Sequence, residues 1–201
     1  AAWVQIDEPV LCLDLSPAQR AAFETAYAAL AMAGPLIMLA TYFGALRDNL
    51  GLAAGLPVAG LHVDLVRAPD QLEEVLSALR PETVLSLGVI DGRNIWRADL
   101  SARLPLVEKA VRARGTDRIQ VAPSCSLLHA PVDLDQETKL DAELKRWMAF
   151  AIQKLEEVAA LAEAAAKGKA TVHAIFAASD AAGASRRTSP RIHDPAVKAR
   201  T

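Results

Sequence analysis

Short apolar runs alternate with longer amphipathic stretches along the whole chain, the pattern of repeated βα units around a parallel sheet. The runs Trp3–Ile6, Leu36–Leu39, Val58–Val66, Val84–Val89 and Ile119–Ala122 predict five strands. Between them, Ser16-Pro17 opens a helix that reaches about Ala33, because serine caps well and proline is tolerated in the first turn. Gly34-Pro35 stops it. Arg47–Gly55 reads as a short helical region, Pro69 to about Leu79 as a helix ended by Arg80-Pro81, and Leu104–Arg114 as a helix closed by Gly115. A long helix is expected from about Gln136 to Lys167, with Asp133 or Asp135 as its cap and Gly168 beyond its end. Leu140, Leu144, Trp147, Ala151, Leu155, Val158 and Ala162 fall in one sector of that helix, which predicts the face it packs. Residues Ala170–Ala184 are alanine-rich and poorly patterned. The segment from Ser185 to Pro195 is basic and contains proline, which reads as a linker or docking segment.

Five strands fall short of the eight that close a barrel, and the chain opens inside a strand. The fold class expected is therefore α/β: an incomplete TIM-type (β/α)8 barrel, about its last five parallel strands with flanking helices. Residues 1–184 would form the partial barrel and 185–201 a basic linker toward a second barrel. Such an open sheet leaves edges uncovered, so aggregation, dimerisation or a need for upstream residues is expected.

The chain has 201 residues with 22 basic and 24 acidic side chains, a balance that gives no reason to expect a nucleic acid or an anionic membrane as partner. No N-terminal segment of this sequence has a basic flank, apolar core and small-residue cleavage site. No purely apolar run of roughly 18 residues occurs, so no membrane span is expected, and the two cysteines, Cys12 and Cys125, are far apart. These features suit a reducing, cytoplasmic setting without a structural disulfide.

Chemistry-bearing residues recur where the apolar runs end. Asp7 and Glu8, Thr41 and Tyr42, His62 and Asp64, Asp91 with Arg93 and Asn94, and Cys125 with Ser126 would meet at one rim. Active sites of parallel barrels lie there. The candidate pocket lining is Asp7, Thr41, His62, Asp64, Arg93, Asn94, Cys125 and Ser126. His62 and Asp64, two apart on a strand, project to one face and need partners, either Arg93 or backbone. Imidazole, carboxylate and thiolate are all zinc ligands, yet no tight metal-binding spacing is present, and a hydrogen-bond network is the default. Asp7 and Glu8 would act as an acid/base pair only through a bend before Pro9. His129 reads as a loop-fixing hydrogen bonder.

Taken together, Trp3-Val-Gln-Ile-Asp-Glu-Pro9, Thr41-Tyr-Phe43, Gly60-Leu-His-Val-Asp-Leu-Val66, Gly92-Arg-Asn-Ile-Trp-Arg-Ala-Asp-Leu100 and Ser124-Cys-Ser-Leu-Leu-His129 resemble the cobalamin-independent methionine synthase family. The stretch Leu140–Leu155 and Arg191-Ile-His-Asp-Pro-Ala-Val197 share the resemblance, which is to the C-terminal part of the family's N-terminal barrel. The resemblance implies an enzyme of two fused barrels that transfers a methyl group from 5-methyltetrahydrofolate polyglutamate to homocysteine. It also implies a zinc site in the other, C-terminal barrel, held by a His-x-Cys pair, a glutamate and a second cysteine. Here the corresponding strand reads Ala40-Thr-Tyr-Phe43, Asp64 stands roughly in the glutamate's place, and only Cys125 matches a ligand position.

The resemblance thus implies a non-catalytic scaffold lining the interbarrel cleft, inactive alone, with no catalytic, cofactor-binding or metal residue of its own and Cys125 a buried relic. Its partners would be the remainder of the enzyme and, in the whole enzyme, homocysteine and methylfolate. Three alternatives stay open. One is a module holding an anionic folate tail with Arg93, Arg97 and the Arg186–Arg191 stretch; another is a stand-alone zinc thiol methyltransferase using Cys125, His62 and Asp64. The most distant is a decarboxylase on the related porphyrinogen-binding barrel.

Overall fold

The computed structural model describes residues 2–200. Five strands, β1 (Trp3–Asp7), β2 (Leu36–Ala40), β3 (Gly60–Asp64), β4 (Val84–Ile90) and β5 (Ile119–Pro123), form one sheet in the order β1-β2-β3-β4-β5. Every pairing is parallel. The outer edges of β1 and β5 carry no further strand among the described residues, so the sheet is open and corresponds to an incomplete TIM-type barrel. Partly exposed Trp3, Val4 and Leu36 mark the β1 side.

The helices between strands are α1 (Pro17–Leu30), α2 (Leu50–Gly55), α3 (Leu72–Ala78) and α4 (Leu100–Arg114). Ser16 caps α1 through a reciprocal box with Gln19, as its hydroxyl accepts from the Gln19 amide at 3.3 Å and the Gln19 carboxamide accepts from the Ser16 amide at 2.8 Å. After β5 come α5 (Ala142–Trp147), α6 (Ala151–Lys167), α7 (His173–Thr188) and the short α8 (Pro195–Lys198).

Strand alternation divides the sheet into two chemically different faces. One face sends Leu39, Leu61, Val63, Leu85, Leu87 and Val89 into the core shared with the helices, all of them fully buried. The other face presents Gln5, Met38, His62, Ser86 and Gln120 to an open, more polar hollow. β4 is buried along its entire length, which is why Val84–Ile90 reads as a nearly continuous apolar run.

Three expectations about the helices are corrected. The single helix expected from Gln136 to Lys167 is interrupted. Asp133 caps only the 3-10 turn Leu134–Gln136, Asp141 caps α5, and residues 148–150 are not helical. The break has a tertiary cause: Arg97 donates its amide to the Trp147 carbonyl at 2.8 Å, and Ala149 donates to Ile95 at 2.9 Å. That backbone pairing, with a Trp96–Met148 bridge, takes the hydrogen-bonding groups a continuous helix would need. No side chain caps α6. Instead, its first amides donate to the Pro131 and Val132 carbonyls.

The interruption also resets the helix phase. Leu155 is 54% exposed and Ala162 is exposed, whereas α6 buries Lys154, Glu157, Ala160, Leu161 and Ala164. The alanine-rich stretch is α7, which buries Val172 just ahead of it, then Phe176, Ser179 and Ala182 on one side. Finally, α4 begins at Leu100 rather than Leu104. Asp99 caps it by accepting from the Ala102 amide at 3.0 Å, and burial of Leu100 outweighs the hydrogen bond lost at Pro105.

Candidate functional site

The loops that follow the five strands form a rim, and the predicted residues there sit in several separate networks. A hollow of about 340 Å³ is lined by Tyr42, His62, Ser86, Gln120, Cys125 and Ser126 among others. It brings together His62, Cys125 and Ser126 of the predicted set. Asp7, Thr41, Asp64, Arg93 and Asn94 lie elsewhere on the rim, outside that hollow's wall.

His62 is held on both sides. Its Nδ1 lies 2.9 Å from the Ser86 hydroxyl and its Nε2 3.3 Å from the Ser124 carbonyl. A carbonyl only accepts, so the neutral ring carries its proton on Nε2 and Nδ1 accepts from Ser86. Burial pushes the His62 pKa below its ordinary value, outweighing the opposing effects of the Ser124 carbonyl and of Asp64 and Asp7. The ring needs space that Gly88 leaves open, because a Cβ there would lie 2.9 Å from His62 Cε1 and 2.8 Å from Ser124 Cα. Thr41, also buried, donates its hydroxyl to the His62 carbonyl at 2.7 Å.

Asp64 works on backbone. Its Oδ2 accepts from the Phe43 amide at 3.0 Å, and its Oδ1 accepts from the Val66 and Arg67 amides, each at 2.9 Å. It thereby ties the loop after β2 to the loop after β3. Phe43 is held at φ 79°, a left-handed conformation that costs energy for a bulky residue and persists only where surroundings fix it. The Phe43 ring carries the Arg93 guanidinium 4.6 Å from its centroid and faces His129 at 6.2 Å. Arg93 therefore does not pair with Asp64 or His62, which take backbone and hydroxyl partners. His129 leans on an aromatic ring.

The proposed acid/base pair at the end of β1 does not share a pocket. Asp7 accepts from the Tyr42 hydroxyl at 3.2 Å, while Glu8 accepts from the Tyr27 hydroxyl of α1 at 3.2 Å. Burial, with Glu8 adding to it, pushes the Tyr27 pKa well above its ordinary value. Cys12 and Cys125 are both free thiols. Burial raises the Cys125 pKa, and its Sγ lies in a weak 3.8 Å contact with the Ser126 carbonyl, so the unreactive thiol form dominates. Ser126 itself accepts from the Leu128 amide at 3.3 Å.

Asp91 opens the network that sequence reasoning missed. It accepts from the Arg93 amide at 2.8 Å and from the Asn94 carboxamide at 2.7 Å. Asn94 in turn accepts from the ammonium of Lys154 at 3.2 Å, and the Trp96 carbonyl does so at 3.1 Å. Lys154 is fully buried, and one turn further along α6 Glu157 accepts from the Ala98 amide at 2.9 Å. Burial lowers the Lys154 pKa and raises that of Glu157. The signal in the sequence was the spacing of Lys154 and Glu157 with Leu161 and Ala164, visible only once the helix break is placed.

A family model described as "Cobalamin-independent synthase, N-terminal domain" matches residues 1–115. The chain belongs to this family. The synthase family's likeness extends along the whole chain in proteins named 5-methyltetrahydropteroyltriglutamate–homocysteine methyltransferase. Those of Caulobacter vibrioides and Nitrobacter winogradskyi are each 57% identical over 202 aligned residues. That of Mesorhizobium japonicum is 54% identical. Each alignment covers 100% of this chain but 26% of the relative, so the chain spans about a quarter of their length.

The resemblance to the synthase family brings zinc into question, and the rim of this domain does not fit it. Both His62 nitrogens and both Asp64 oxygens are engaged within the chain. Among the described residues no three His, Cys, Asp or Glu side chains converge as a metal site would require. Two of the basic C-terminal residues have partners within the chain: Arg186 lies 5.0 Å above the Trp96 ring, and Arg191 pairs with Asp141 at 2.7 Å and Glu143 at 3.2 Å.

Proposed function

We propose that this chain is a non-catalytic scaffold within a 5-methyltetrahydropteroyltriglutamate–homocysteine methyltransferase, where it builds part of the N-terminal barrel and one wall of the interbarrel cleft. In that enzyme a methyl group passes from the folate polyglutamate to homocysteine. A zinc ion held by the other barrel, and by no residue of this chain, would lower the pKa of the homocysteine thiol. The residues Asp7, Thr41, His62, Asp64, Arg93, Asn94, Cys125 and Ser126 would shape this side of the cleft without touching the sulfur. Residues 185–201 would lead toward the second barrel, leaving from the last turn of α7, and the remainder of the enzyme is the partner of this chain.

The observation that carries the reading is the internal use of the rim's polar groups. Asp64 in particular uses both carboxylate oxygens to accept from three backbone amides, an arrangement that positions loops. Rigid placement of that kind matters to catalysis, because misplacing reacting groups by about 1 Å can cost on the order of 100-fold. No helix among the described residues is long and apolar enough to cross a membrane. On its cysteine usage, a cytoplasmic setting belongs to this reading. The test is an assay of the purified chain with zinc, homocysteine and methylfolate. No methionine above background is expected, and turnover would overturn the reading.

A further inference from the structure

A second cleft lies between α6, α7 and the segment leading into α4, and shares no wall residue with the hollow around His62. Its volume is about 380 Å³, near the lower end of small-ligand sites, which run from roughly 300 to 1,000 Å³. Helix α7 contributes an apolar wall through Ala174, Ile175 and Ala178, with Ile175 44% exposed, and Leu100 adds to it. Helix α6 contributes Glu156 and Glu157, and Arg97 stands between them and α4.

Glu157 feels the charge of buried Lys154 on the same helix, but the hydrogen bonding on this wall is incomplete. Glu157 is 5% exposed, and while its Oε1 accepts from the Ala98 amide, its Oε2 is buried without a partner. A buried carboxylate oxygen lacking a donor is costly. The Arg97 guanidinium forms no hydrogen bond or ion pair among the described residues, although its charge, after that of Lys154, acts on Glu157. The neutral polar groups nearby are already used: Gln153 bonds Leu134 and Asp133, and Ser179 bonds Ala98 and Leu100. What the cleft lacks is a cationic donor for Glu157, an anion for Arg97 and an apolar body against α7.

We propose that this cleft binds a free α-amino acid with an apolar side chain, its ammonium on Glu157, its carboxylate on Arg97 and its side chain on the α7 wall. This site shares no residue with the hollow around His62 and stands or falls independently of the methyltransferase reading. Isothermal titration of the 201-residue chain with L-leucine tests it. One molecule binds per chain, and N-acetyl-L-leucine and L-leucinamide, each missing one charge, bind about tenfold more weakly or not at all. Glu157→Gln keeps an acceptor for the Ala98 amide and weakens leucine binding about tenfold. Arg97→Gln, at a partly exposed position, has a comparable effect and supplies a second reading if Glu157→Gln fails to fold. Glu163→Gln, on α6 but outside the cleft, leaves the affinity unchanged. Absence of leucine binding, equal affinity for either derivative, or full affinity in the folded variants would each overturn the proposal.

Discussion

Replacing Asp64 by asparagine changes one oxygen to an amino group and leaves the size of the side chain almost untouched. In the folded chain the carboxylate accepts three backbone hydrogen bonds, two at Oδ1 from Val66 and Arg67 and one at Oδ2 from Phe43. Asparagine can keep its oxygen toward Val66 and Arg67, but then sets a donor against the Phe43 amide. Hydrogen bonds to a charged acceptor are worth about 1.5–3 kcal/mol each, and leaving a buried donor unmatched costs a similar amount. Asp64 is 1% exposed, so water replaces it poorly. The expected loss for Asp64→Asn is about 2 kcal/mol, and for Asp64→Ala, which abandons all the amides, about 3–5 kcal/mol. Phe43 would also be released from its left-handed backbone, which recovers part of the strain. Urea unfolding followed by circular dichroism gives the stability, and hydrogen exchange gives the protection of the Phe43, Val66 and Arg67 amides. A loss below about 0.5 kcal/mol with the Phe43 amide still protected would show that Asp64 does not hold this loop.

Two further predictions probe the core and the histidine. Because burial holds the His62 pKa below the ordinary 6.5, the unfolded chain takes up the proton first as the solution is acidified. This contribution is intact above 6.5 and is lost as pH falls from there through the folded-state value, at up to about 1.4 kcal/mol per pH unit. His62→Gln should flatten the stability profile of the wild type in that window, and parallel profiles would count against the buried, neutral ring. The helix phase is tested by a pair of alanine substitutions. Phe176→Ala, at a fully buried position of α7, should cost about 3–5 kcal/mol, while Leu155→Ala, 54% exposed, should cost under about 1 kcal/mol. The reverse ranking in urea melts would restore the packing face first expected from the sequence.

Much of the architecture was legible because each strand is a compact apolar run and each early helix carries its own punctuation. Ser16, Gly34 and Gly115 act locally, so the sequence alone locates their effects. The region after β5 was less legible for the opposite reason. The break at residues 148–150 is made by backbone pairing with residues 95–97, about fifty positions away, and no local residue announces it. With the break unplaced, the buried face of α6 was assigned to the wrong residues, and Lys154 and Glu157 were lost among solvent-facing charges. α7 was obscured by its alanine content, although Val172, Phe176, Ser179 and Ala182 keep helical spacing.

At the rim the sequence located residues better than it assigned their work. Alternation along β3 predicts His62 and Asp64 on one face. It does not reveal that one turns to a hydroxyl on β4 and the other to three loop amides. Asp7 and Glu8 show the same limit. They are adjacent in sequence, yet tyrosines from different elements, Tyr42 and Tyr27, draw them apart.

The scaffold account rests on rim donors that are already committed within the chain. Zinc titration against a chromophoric chelator, on the wild type and on Cys125→Ser, tests that most directly. The account predicts no stoichiometric, tightly held zinc and the same curve for both proteins. One equivalent of tightly bound zinc, lost on replacing Cys125, would contradict it and make this rim a metal centre in its own right.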